Sequence, residues 1–111
     1  MSPEIFRVDK FVVPAPAREE FLDRVHATHA VLRAQPGFVR DAILEQSSGP
    51  GEFNFVTIVE WENGGAIDGA REAVAALHQK MNFDAHAMIN RLGIRADIAN
   101  YKRVEQAMAG E

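Results

Sequence analysis

Four histidines, at positions 26, 29, 78 and 86, are the side chains here best suited to moving a proton near neutral pH. His29 lies at the edge of an apolar stripe at helical spacing formed by Phe21, Val25, Thr28 and Leu32. His78 lies within a second such stripe with Ile67, Ala70, Val74, Leu77 and Met81. Either could face a sheet and a pocket beneath its helix, acting as a base or hydrogen-bond donor to a small molecule. The same placement suits a half-buried imidazole satisfied by a carbonyl or carboxylate. His26 and His86 fall further round their helices and read as surface residues. The three-residue spacing of His26 and His29 can chelate a divalent ion, but no third ligand is marked, and no metal is assigned.

Trp61 ends an apolar strand, where it can wall a pocket for a planar ligand or pack in the core or a dimer contact. Asn54 and Tyr101 are polar residues inside strands; either could donate to a substrate carbonyl or bond across the sheet or the dimer. Arg7 and Asp9 share a strand face, which reads as an internal ion pair or an inter-subunit bridge.

Other chemistries lack their parts. There is no cysteine, so disulfides, thiolate metal sites and thiol catalysis are absent. Gly49-Pro50-Gly51 lacks the strand–loop–helix setting and the lysine of a phosphate cradle. No Ser-His-Asp set can be assembled from the spacing. A net charge of −4 without a Lys/Arg stripe argues against nucleic acid as a partner. No apolar run approaches the roughly 20 residues of a membrane span. The first ten residues lack the basic-then-apolar layout of a signal peptide, so a cytoplasmic protein is expected.

The elements that must position these residues follow from periodicity. Residues 4–13 read as a strand ended by Pro14 and Pro16. Residues 17–34 read as a helix, broken by Gln35-Pro36-Gly37. Phe38 to Gln46 is a second strand, joined through the turn-rich 47–51 to a third, Phe53 to Trp61. A helical pattern returns from Ala66 to Leu92, with a break expected near 82–84, Asp84 capping the second piece and Gly93 as the stop. Residues 94–104 form a fourth strand. The order is that of the α+β, ferredoxin-like βαββαβ plan: a four-stranded antiparallel sheet with the helices on one face. One domain is expected over residues 1–105, with a tail at 106–111.

The third strand, FNFVTIVEW, is apolar on both faces and needs two covers. The helices supply one. A second copy of the chain, docked on the open sheet face, would supply the other, so a homodimer is expected.

The chain resembles the antibiotic biosynthesis monooxygenase family of dimeric α+β barrels. The likeness rests on a first strand ending Val13-Pro14, the helix and turn from Ala17 through Pro36-Gly37-Phe38, and Val59-Glu60-Trp61-Glu62. A last strand with Tyr101-Lys102-Arg103-Val104 completes it. The resemblance implies small-molecule chemistry in a pocket between sheet and helices, in some members oxygenation of aromatic polyketides without flavin, haem or metal. Such a reaction needs a base for a phenol or enol and an apolar pocket for the ring; the resulting anion can pass an electron to oxygen directly. On that reading the chain is a monooxygenase of a planar aromatic or quinol-type substrate, without a cofactor, with His29 or His78 as base and Trp61, Asn54 and Tyr101 as contacts. The haem-degrading branch typically presents an Asn on the first strand and a Trp and a His on the second helix. Here those places hold Asp9, no Trp and His78. Two alternatives use the same parts: an isomerase-type proton transfer, and a non-catalytic dimeric module that binds a small hydrophobic ligand.

Overall fold

The computed structural model describes residues 3–104; the expected tail at 106–111 lies outside them. Strand β1 (Ile5–Val12) ends ahead of Pro14, which opens a single 3-10 turn at Ala15–Ala17 leading into α1 (Arg18–Leu32). Glu19 and Glu20 in the first turn of α1 complement the positive end of the helix dipole. Strands β2 (Phe38–Glu45) and β3 (Phe55–Trp61) form an antiparallel hairpin. Helix α2 (Gly64–Lys80) starts two residues before its apolar periodicity, because the Asn63 side chain accepts from the Ala66 amide and caps it. It stops at Met81. Asp84 then caps α3 (Ala85–Leu92), and Gly93, at φ +70°, ends it. Strand β4 (Arg95–Tyr101) closes the sheet.

The sheet order is β2-β3-β1-β4 with every neighbour antiparallel, the ferredoxin-like plan, with the second helical segment split between α2 and α3 at the break read from the sequence. Gly37, at φ +87°, turns the chain from α1 into β2. A Cβ on Gly37 would lie 2.4 Å from the Ala66 Cβ, so glycine here also allows α2 to approach the turn. None of the described helices is long and apolar enough to cross a membrane.

Strand register explains why this layer has a hollow. On the helix side, Phe11, Val13 and Phe55 join Ala17, Phe21 and Ile94 in one apolar cluster. Towards the opposite ends of β1 and β3, Val59 and Trp61 join Ile67 and Ala70 in a second, with Ile5, Leu32 and Phe38 against it. Between them run two rows of directly paired residues on the same side of the sheet. One is Asp41, Val59, Arg7 and Asn100; the next is Ile43, Thr57, Asp9 and Ile98. Charged residues in the middle of these rows cannot close-pack as the aliphatic ends do, and the helices stand over a cavity there.

The opposite side of the sheet carries Phe6, Val8, Ala42, Leu44, Val56, Ile58 and Tyr101, with none of the described helices against it. Leu44 and Tyr101 are more than 40% exposed. Glu60 is buried on this side and paired to Arg40 at 2.8 Å.

Candidate active site

The cavity between sheet and helices has a volume of about 210 Å³. Its floor is Arg7 and Asp9 of β1 with Thr57, Val59 and Trp61 of β3. One wall is Thr28, His29 and Leu32 of α1; the other is a stripe of α2 comprising Ile67, Ala70, Arg71 and Val74. Trp61 is only 2% exposed and is backed edge-on by Phe38, with ring centroids 5.9 Å apart, so its indole is held in one orientation.

His29 is 5% exposed and its Nδ1 lies 2.8 Å from Asp41 Oδ2. A carboxylate only accepts, so neutral His29 carries its proton on Nδ1 and leaves Nε2 with a lone pair. No group among the described residues bonds Nε2, and it is not sealed away from solvent. Asp41 is held in turn by Arg33, whose Nη2 donates to the same oxygen at 2.8 Å. Burial pushes the Asp41 carboxyl up, but hydrogen bonds from Arg33 and His29, and the charge of each, outweigh it and hold it below its ordinary value. The result is a buried imidazole held by a fixed carboxylate, with a free ring nitrogen on a cavity.

Asp9 shows the opposite balance. Burial raises its carboxyl above the ordinary value, and the Arg7 hydrogen bond (Nε to Oδ1, 2.8 Å), the Arg7 charge and then that of His29 only partly counter this. Asp9 thus lines the same cavity as an ion-paired carboxylate.

Of the five residues singled out in the sequence, His29 and Trp61 meet here. His78 does not: its helical phase is right, but it lies roughly 6 Å further along α2 than Val74. It is half-buried and packs edge-on against Phe83, ring centroids 5.0 Å apart. Asn54 spends both amide groups on Val13, accepting from its N–H and donating to its carbonyl at 2.8 Å each, which clamps the end of β1. Tyr101 pairs with Phe6 on the other side of the sheet, with the Lys10 ammonium 5.8 Å from its ring. Among the described residues, no group of three or more His, Asp or Glu side chains gathers as a metal site.

Sequence reasoning missed Asp41 and Arg71. Nothing local marks Asp41 as the partner of a histidine twelve residues earlier; only the β2 register reveals it. Arg71 was legible, since it falls four residues after Ile67 in the cavity-facing stripe, but counting only apolar residues hides it.

Comparison with known proteins agrees with this architecture. The model of the family described as antibiotic biosynthesis monooxygenase matches residues 5–80, and the chain belongs to that family. No curated protein matches it by sequence. SnoaB, a cofactor-independent oxygenase from Streptomyces nogalater, is similar in structure (TM-score 0.67, 24% identity, over 96% of this chain and 97% of that one). So is the haem degrader MhuD from Mycobacterium tuberculosis, solved with two haems in its active site (TM-score 0.65, 24% identity, over 93% and 98%). A conserved protein from Methanosarcina mazei also shares the fold (TM-score 0.66, 17% identity, over 93% and 96%). At these identities the likeness speaks for the fold.

Proposed function

We propose that this member of the antibiotic biosynthesis monooxygenase family oxygenates a small planar aromatic or quinol-type substrate without a cofactor, using His29 as base. The observation that carries the reading is the buried His29–Asp41 pair, whose free ring nitrogen opens on a cavity walled by Trp61. The substrate ring lies against Trp61 and the aliphatic wall of α2. His29 Nε2 takes the acidic proton of an anthrone-type CH₂ or a phenol, and Asp41 stabilises the imidazolium. The carbanion or phenolate transfers one electron to O₂, and the radical pair combines to form a C–O bond. The peroxide takes back the proton from His29. Loss of water then breaks the O–O bond and the remaining C–H bond. In sum CH₂ and O₂ give C=O and H₂O, one oxygen atom entering each product. The protein's part is to desolvate, orient and move protons.

A carboxylate, Asp9, and an imidazole, His29, lining one cavity support a second reading, an acid–base isomerisation of a small enol or lactone there. It differs in needing no oxygen. A second copy of the chain covering the open side of the sheet completes the proposed assembly, because that side is apolar along β1, β2 and β3.

The test is oxygen uptake by the pure, metal-stripped protein with a panel of anthrones and quinols. Uptake that falls at least a hundredfold in His29→Ala and persists in His78→Ala is expected. Turnover under nitrogen would move the assignment to the isomerase. No turnover of any member, or uptake unaffected by His29→Ala, would refute the oxygenase.

A further inference from the structure

The cavity-facing stripe of α2 reads Ile67, Ala70, Arg71, Val74, positions i, i+3, i+4 and i+7 of one helix face. A guanidinium therefore interrupts an otherwise apolar wall. No carboxylate among the described residues pairs with it, not even Asp68 three residues before it on the same helix. The other charges around the cavity are matched: Arg7 is paired to Asp9, and Asp41 is shared by Arg33 and His29. Arg71 is left as one uncompensated positive charge on the lining. Arg71 is itself exposed, so it stands where the lining meets solvent, and such a charge favours a ligand that brings a single negative one.

We propose that Arg71 is a specificity residue that recognises a carboxylate carried by the planar substrate. The planar guanidinium matches a carboxylate with two parallel hydrogen bonds. A phosphate dianion would leave the site with an unmatched negative charge. Compensating the carboxylate at Arg71 also leaves the charge created at the ring, when His29 takes its proton, to be balanced by the imidazolium alone. The planar-ring part of the inference rests on the proposed function; the charge part rests on Arg71.

The chain has one tryptophan, and it lines the cavity, so quenching of Trp61 fluorescence reports occupancy without any turnover. The probes are anthraquinone-2-carboxylate and its neutral carboxamide, titrated into the wild type, Arg71→Gln and Arg71→Lys. The wild type is expected to bind the carboxylate about tenfold more tightly than the amide, with the ratio falling as salt rises. Arg71→Gln should bring the ratio to about one through weaker carboxylate binding, with amide binding unchanged. Arg71→Lys should restore most of it. Equal wild-type affinities, or a preference that survives Arg71→Gln, would overturn the role of Arg71 while leaving the aromatic cavity standing. Failure of both probes to quench Trp61 would overturn the cavity reading and this inference together.

Discussion

Replacing Asp41 with alanine interrogates the dyad directly. His29 is 5% exposed, so water can scarcely replace the partner its Nδ1–H would lose. A hydrogen bond to a charged group contributes about 1.5–3 kcal/mol. The Arg33 pair adds at most about 0.5 kcal/mol, because the Arg33 side chain is 49% exposed and screened by solvent. Asp41→Ala should therefore cost about 2–3.5 kcal/mol at pH 7. Asp41→Asn retains an oxygen to accept from Nδ1–H and should cost about 1 kcal/mol. With a urea m-value of about 1.5 kcal/mol per molar, the unfolding midpoint should fall by about 1.3–2.3 M for alanine and under 1 M for asparagine. The effect carries a pH signature. The Asp41 carboxyl is held below the ordinary 3.8 in the folded state, so its stabilisation is complete above that value and is lost as pH falls through the folded one. The gap between wild type and Asp41→Ala should accordingly narrow at pH 3. A cost under 0.5 kcal/mol at neutral pH, or a gap that ignores pH, would refute the geometry on which the base assignment depends.

Three further outcomes are expected. Gly37→Ala combines a left-handed backbone, about 1–2 kcal/mol, with a Cβ driven against Ala66, about 1–3 kcal/mol more; adding Ala66→Gly in the same chain should recover the steric part in thermal unfolding. Asp9→Asn should show the opposite pH trend to Asp41→Ala. The wild-type carboxyl is raised by burial, so its favourable contribution is fullest below the ordinary 3.8 and is lost as pH rises through the folded value, whereas the variant should be flat across that window of a melting-temperature series. Wild type should scatter light as twice its 12.3 kDa at micromolar concentration, and Ile58→Glu, a charge in the middle of the open sheet side, should halve that mass; a wild-type protomer at 12.3 kDa would end the dimer proposal.

Elements and topology were legible because each is written locally. Val13-Pro14, Pro36-Gly37, the Asp84 cap and the Gly93 stop punctuate the chain where the structure turns, and the alternation along β3 sorts its residues onto the two sheet sides as read. Helical phase placed both His29 and His78 on inward faces. Phase fixes the angle around an axis and says nothing of distance along it, so His29 reaches the cavity while His78 packs on Phe83. Asn54 and Tyr101 were chosen as polar groups within strands. Which side each serves depends on pairing register, and register is set by partners far away in sequence.

The site itself was written in β1, in a form that only the helices make readable. The residues of β1 facing α1 and α2 run Ile5, Arg7, Asp9, Phe11: apolar, charged, charged, apolar. A pair of charges in the centre of a core face costs desolvation that two leucines would not. Apolar packing is kept at both ends of the sheet, where the two clusters anchor the helices, and given up in the row between them. That row is also where α1 lowers His29 onto Asp41 and α2 presents Arg71. Three elements thus place polar groups into one gap that aliphatic side chains would have filled. The same substitution of charge for grease that opens the cavity also equips it. A sequence search for such sites in this fold should look for paired charges interrupting the helix-facing positions of the first strand, ahead of any search for histidines.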